Sequence, residues 1–418
     1  MRKNHVNRRL SAVLGALLST VRNCREQQNC FSKEGFPFTE QKTMIDFPVY
    51  FDNAASTFPK PENVLRAVNR NLRSNTSNPG RSGHNLSFEA AERIFEAREV
   101  ISEYFGCEPE NVIFTKNATE SINLLLFGLL SKGDHVIVSD MEHNSVTRPL
   151  TALSSRGVTF DIADSNDIEA SVKALIRPET RLIFPTAVSN VTGKVLPLRP
   201  LAQIAHKNGI LFGTDASQAA GHLPIDMKNA EIDYLCTSGH KGLFGIQGSG
   251  LLLFKKTPPS PLLYGGTGTE SLNLLQPEIV PEALESGTVA TPAIISLCEG
   301  IRFLRRNPNN SFYEKSLVRH AINELKKLKN ITLYSSADSV GTVAFNVQGS
   351  HSEEVTSYLS SKGICVRGGF HCSALAHKKL GTTESGVVRV SFSPFNTVEE
   401  VDYMIKCLKI YKKLPLGT

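Results

Sequence analysis

The sequence predicts an α/β protein in two parts, a large domain built on a mostly parallel sheet and a smaller C-terminal α/β domain. Three observations predict it. Helical and extended patterns alternate from residue 59 onward, polar and glycine-containing clusters recur where extended runs end, and after Gly266 the texture changes to a loop-rich stretch reaching Pro292. Alternation of this kind builds parallel strands covered by helices.

In order, a helix over 61–73 is expected to cross back as an arm toward the second domain. Residues 85–105 set Phe88, Ala91, Phe95, Ile101 and Tyr104 at helical spacing, and 112–115 follow as a short extended run. The alternation then predicts helix 118–130, strands 135–139 and 157–163, helix 168–176, strand 181–187, helix 198–208 and strands 210–214 and 232–236. Beyond the loop-rich stretch come helix 311–329, strands 341–347 and 387–392, and a closing helix over 398–408. The implied division is 44–300 for the large domain, arm included, and 301–418 for the small one.

Composition narrows the class. The 418 residues are 40% hydrophobic and 21% charged, values of an ordinary soluble globular protein. Of the net charge of +6, residues 1–43 supply +5 through eight Lys and Arg against three Asp and Glu, leaving the body at +1. A body this close to neutral offers no electrostatic footprint for nucleic acid or an anionic membrane, so small-molecule chemistry is expected. The eight cysteines include no C-x-x-C pair, which speaks against a zinc site or a disulfide framework, and no metal is expected. Scattered cysteines in a long chain fit a reducing compartment, here the cytoplasm.

Residues 1–25 carry six arginines and lysines and no acid around an apolar stretch from Leu10 to Val21. A secretory signal, an organellar transit peptide, and a tail or upstream start that is not part of the working protein all fit. The third is favoured, because Met44 stands directly before the point where the folded pattern begins. The stretch is too short for a convincing membrane span.

In open α/β sheets ligands bind beyond the carboxyl ends of the strands. Thr115 to Glu120 follows one strand and opens a helix, which suits an anion such as phosphate but equally a plain helix cap. His143 follows the next strand, and Asp215 and Gln218 another. Thr237 to Gly242 then gathers Ser238, His240 and Lys241 beside glycines. A cofactor with an aldehyde, a pyridine nitrogen and a phosphate needs a Schiff-base lysine, an acid at the nitrogen and anion donors. Lys241, Asp215 and the Thr119, Ser238 and His240 group fill those roles, which points to pyridoxal 5'-phosphate.

The stretches YFDNAAST (50–57), NATESIN (117–123), EHNS (142–145), VSNVTG (188–193), TDASQ (214–218), TSGHKG (237–242), ESGTVATP (285–292), RGGFHCSALAHKKLGT (367–382) and VRVSFSPFNT (388–397) carry a resemblance to the class V aminotransferases. Within that family the chain resembles the cysteine desulfurase and selenocysteine lyase group, from about residue 49 to 408. The resemblance implies a pyridoxal-phosphate-dependent enzyme of fold type I, a homodimer with its site at the subunit interface. It implies that Lys241 carries the cofactor, His143 stacks on its ring, Asp215 holds the pyridine nitrogen and Gln218 the phenolic oxygen. Thr119, Ser238 and His240 would bind the phosphate, with Thr288 reaching it from the partner subunit. Asn190 and Arg389 would hold the substrate carboxylate, a task suited to the planar guanidinium fork.

The family's fold permits several reactions, so the site must decide. Cys372 decides. It lies in a loop with the paired glycines Gly368 and Gly369, which would let the backbone bring a thiolate to the cofactor, and nearby positive groups such as Arg367 or His371 favour that thiolate. The 17 residues from Cys372 to Arg389 resemble the short-loop second group of desulfurases, although Phe370 to Ser373 departs from that group's usual surroundings. The expected reaction takes L-cysteine to L-alanine and leaves the sulfur on Cys372 as a persulfide for an acceptor protein, in sulfur metabolism such as iron–sulfur cluster assembly. A selenocysteine lyase or related C–S lyase is the alternative, and a cofactor-free sulfur-relay scaffold the non-enzymatic one.

Overall fold

The computed structural model describes residues 48–80 and 82–412; the basic segment 1–43 and its three readings lie outside them. Among the described residues twelve strands form three sheets, accompanied by eleven α-helices. They run β1 (Val49–Tyr50), α1 (Glu62–Ser74), α2 (Asn85–Phe105), β2 (Val112–Thr115), α3 (Ala118–Leu129), β3 (His135–Ser139), α4 (Asn144–Ser154), β4 (Thr159–Ala163), α5 (Ile168–Leu175), β5 (Thr180–Ile183), α6 (Leu198–Lys207), β6 (Leu211–Asp215), β7 (Tyr234–Ser238) and β8 (Gly250–Phe254). The second half adds α7 (Thr291–Arg306), α8 (Asn310–Leu325), β9 (Ile331–Leu333), β10 (Thr342–Val347), α9 (Ser352–Ser361), β11 (Ile364–Cys365), α10 (Ala374–Leu380), β12 (Val388–Ser391) and α11 (Val398–Ile410).

The large sheet has the order β2-β8-β7-β6-β5-β3-β4, parallel throughout except that β8 runs against both its neighbours. Alternate residues of one strand feed opposite faces, as the period of two requires. Ile137, Ile183, Leu235, Leu251 and Leu253 enter one core, and Val136, Val138, Leu182, Tyr234, Cys236, Leu252 and Phe254 the other. Both faces are covered, so β3, β7 and β8 are buried along their whole length.

A three-stranded antiparallel sheet, β12-β10-β9, has its own core of Val343, Phe345, Val388 and Val390 against Leu317, Val318, Ala321, Ile322 and Leu325 of α8. Val49 and Phe51 join that core from the other end of the chain. The arm expected of helix 61–73 is thus made by β1 instead. Helix α1 turns toward α7, where Asn63 Nδ2 donates to the Glu299 carbonyl at 2.8 Å.

The alternation of the first half matches the sequence reading to within a few residues. The sequence pattern does not carry helix α4, because Pro149 interrupts its helical spacing, or α7, because it opens on Thr291-Pro292 at the end of the loop-rich stretch. Helix α7 runs continuously through residue 300. Among the described residues no helix is long and apolar enough to cross a membrane.

Candidate active site

The carboxyl ends of β2, β3, β6 and β7 open onto one cavity of about 270 Å³. Its lining brings together Thr119, His143, Asn190, Asp215, Gln218, Ser238, His240 and Lys241, eight of the residues singled out in the sequence. Parallel strands deliver them to one edge because each strand ends at the same side of the sheet, which is why loops distant in sequence meet there.

Each side chain is positioned by its own local structure. Asn117 caps α3, its Oδ1 accepting from the Glu120 backbone N–H at 3.0 Å, and the Ala118 N–H reaches Ser238 Oγ at 3.2 Å. Helix α3 therefore aims its N-terminus, with the Thr119 and Ser238 hydroxyls, at the cavity. His143 caps α4: its Nδ1 accepts from the Ser145 N–H at 3.1 Å, which leaves the ring proton on Nε2 when the imidazole is neutral. Asp215 ends β6 and accepts from the Ser217 N–H at 2.9 Å, while Gln218 Nε2 donates to the Ala54 carbonyl at 3.0 Å.

The chain around Lys241 is braced by the N-terminal segment. Thr57 Oγ1 donates to the Lys241 carbonyl at 2.7 Å and Lys60 Nζ to the His240 carbonyl at 2.9 Å. Burial pulls the Lys241 ammonium down to about 8, against the attraction of Asp215 and with the repulsion of Arg389 and Arg367. Burial and then the Lys241 charge take His143 down to about 4, and burial with Lys241 and Lys60 does the same to His240. Both imidazoles are neutral near pH 7.

Arg389 is 1% exposed and lies behind Asn190. Its Nη1 donates to the Asn190 carbonyl at 2.9 Å, its Nη2 pairs with Asp52 Oδ1 at 2.9 Å, and its buried Nε has no protein partner. Cys372 is exposed, and its carbonyl accepts from the Asn144 N–H at 2.7 Å. His371 and Cys372 have φ of +48° and +56°, left-handed values that side-chain-bearing residues rarely adopt. The expectation that His371 supplies positive charge to the thiol is overturned. Burial, then Arg389, holds its imidazole well below the usual range, so it is neutral.

Thr288 is exposed and lines a separate cavity with Thr115 and Lys116, so within one chain it does not reach the site. The sequence reading missed Asp52, Ser145, Thr186, Ser217 and Glu142. Asp52 lay inside a quoted motif but carried no expected role. Glu142 is fully buried; Ser139 and Thr186 N–H groups donate to its Oε1, and burial pushes its carboxyl up to about 8.

The residues fit a phosphorylated pyridine aldehyde. At the cavity, Ser217 Oγ and His240 Nδ1 are buried without a protein partner, a lysine of reduced basicity faces a buried carboxylate, and a helix N-terminus with two hydroxyls offers an anion cradle. Such a fold and site define an α/β enzyme of cofactor-assisted amino-acid chemistry.

Comparison with known proteins agrees. The family described as Aminotransferase class-V matches residues 49–404, and the chain belongs to that family. It is 31% identical to a probable cysteine desulfurase of Methanothermobacter thermautotrophicus, over 86% of this chain and 94% of the relative. It is 32% identical to a cysteine desulfurase of Haloferax volcanii, over 88% and 90%. Among solved structures, the apo cysteine desulfurase of Thermococcus onnurineus NA1 superposes with a TM-score of 0.81 at 31% identity, covering 87% of this chain and 94% of that one.

Proposed function

We propose that this protein is a pyridoxal-phosphate-dependent cysteine desulfurase that converts L-cysteine to L-alanine and takes the sulfur onto Cys372 as a persulfide. The observation that carries the reading is an exposed cysteine on a left-handed turn whose two flanking residues are hydrogen-bonded to Asn190, a lining residue of the cavity fitted to the cofactor.

Lys241 would hold the cofactor covalently, Asp215 its ring nitrogen and Gln218 its phenolic oxygen. Neutral His143 would stack on the ring, and Thr119, Ser238 and His240 would take the phosphate. When bound, the cofactor supplies an electron sink for the carbon skeleton of the amino acid. Arg389, with its unpartnered Nε, and Asn190 hold the substrate carboxylate. Lys241, of lowered basicity, is suited to move the α-proton near neutral pH. Cys372 Sγ, as thiolate, then bonds to the substrate sulfur while the substrate's carbon–sulfur bond breaks. The bond's electron pair stays with carbon, which takes a proton to become the methyl group of alanine, and the protein keeps the S–SH group.

The working protein is a homodimer in this reading, with the exposed Thr288 completing the phosphate site of a second copy. Residues 44–300 form the cofactor-binding part and 301–418 the smaller one. The six cysteines among the described residues are free thiols, which fits a cytoplasmic enzyme that passes sulfur to an acceptor protein.

The test is direct. Incubation with L-cysteine and a reductant, measuring alanine, pyruvate and sulfide together, should yield alanine and sulfide in equal amounts without pyruvate. Pyruvate as the main product would replace this reading with an eliminating lyase. Selenocysteine offered in competition measures which amino acid is preferred.

A further inference from the structure

Asn190 has both ends of its side-chain amide committed to the turn that carries Cys372. Its Nδ2 donates to the His371 carbonyl at 2.8 Å, and its Oδ1 accepts from Ser373 Oγ at 2.6 Å. Its own carbonyl accepts from Arg389 Nη1. Ser373 is fully buried and Asn190 is 6% exposed, so these bonds form out of reach of bulk water.

Between the two bonded residues stands Cys372. Consecutive left-handed residues cost about 1–3 kcal/mol each, so such a turn persists only while its surroundings hold it. The Asn144 N–H, donating to the Cys372 carbonyl at 2.7 Å, and the His371 ring nitrogen Nε2, 3.1 Å from the Val387 carbonyl, contribute to that hold. The Ser373 hydroxyl differs from both. By donating to Oδ1 it gives the Asn190 amide a second anchor on the turn; without that donor only the Nδ2 bond to the His371 carbonyl holds the amide there. Asn190 also lines the cofactor cavity and touches Arg389, so one amide joins the nucleophile's turn to the group that takes the substrate carboxylate.

We propose that Ser373 is a positioning residue: through its hydrogen bond to Asn190 it fixes the turn that aims Cys372 at the substrate sulfur. The proposal rests on the desulfurase reading above. A serine that merely satisfied a buried amide would affect stability and every reaction of the site alike.

The experiment compares the unmutated holoenzyme with Ser373→Ala and Ser373→Thr, the latter keeping the hydroxyl. Three assays are run: kcat and KM for alanine formation from L-cysteine, turnover of L-cysteine sulfinate, and hydrogen exchange of the 370–373 amides by mass spectrometry. Cysteine sulfinate loses sulfur dioxide while its bond pair stays on carbon and is protonated, so it needs no thiolate. Ser373→Ala should lower kcat on cysteine about tenfold with KM within about twofold, the scale of one lost buried hydrogen bond. Turnover of the sulfinate, which shares the carboxylate site but needs no thiolate, should fall much less than that of cysteine, exchange in the turn should accelerate, and Ser373→Thr should recover most of the cysteine activity. Equal loss on both substrates, or no loss on cysteine, overturns the proposal. Failure of the unmutated protein to make alanine from cysteine sinks the desulfurase reading instead, and the exchange rates then still report whether Ser373 holds the turn.

Discussion

Asp52 Oδ1 lies 2.9 Å from Arg389 Nη2, an ion pair that ties the segment after β1 to β12 and gives the fully buried guanidinium its anionic partner. The two residues are 337 positions apart in the chain. Asp52→Asn should therefore leave Arg389 an uncompensated buried charge and cost about 2 kcal/mol of stability, less than a fully buried pair because Asp52 is partly exposed. Denaturant unfolding measures the loss. A carboxylate ligand such as cysteine should restore part of it by taking the place of the missing anion; unchanged stability would show that the pair is not what keeps Arg389 buried.

Lys241 should react as an amine with its midpoint near 8. The usual lysine value is 10.5, and burial lowers it to about 8, so the neutral amine is present at much lower pH than for a surface lysine. The rate of pyridoxal phosphate loading onto the cofactor-free protein should rise about tenfold per pH unit below that midpoint and flatten above it. Absorbance near 400–430 nm follows the loading. Lys241→Ala should show no borohydride-stable linkage by mass spectrometry, and a linkage at another lysine would reassign the site.

Cys372→Ala should bind cysteine, because Lys241, Asp215 and Arg389 remain. Alanine formation should fall by about two orders of magnitude or more for want of the nucleophile. Mass spectrometry of the unmutated protein after exposure to cysteine should find the added sulfur on Cys372. Some selenium release from selenocysteine should survive, since selenium leaves with less help. Alanine formed from cysteine at the unmutated rate would rule out the persulfide route.

Glu142 keeps its proton to about pH 8, whereas a carboxyl in the unfolded chain loses it near the ordinary value of 4.5. Between those two values the unfolded state ionises and the folded state does not, so this group's contribution to folding stability falls as pH rises through the window. Glu142→Gln cannot ionise and retains an oxygen for the Ser139 and Thr186 donors. Its stability relative to the unmutated protein should increase by about 3–4 kcal/mol from about pH 5 to about pH 8. A pH-independent difference would show that Glu142 titrates normally.

The sequence by itself determined the alternation of helices and strands, because periods of 3.6 and 2 are written into the order of apolar residues such as Ile137, Leu182 and Leu235. It also determined the strand-end residues of the cavity, from Thr119 to Lys241, since ligand groups in such folds follow the strands and the lysine, acid and anion donors are chemically recognisable. It did not carry α7, whose helical pattern opens on a proline, or β8, a short apolar run whose antiparallel direction is fixed only by its neighbours. Only the tertiary structure decided that Asp52 pairs with Arg389, that His371 is too deeply buried to be a cation, and that Asn190 and Ser373 grip the Cys372 turn. Those facts depend on through-space distance and on desolvation, which residues far apart in the chain acquire when the fold brings them together and excludes water.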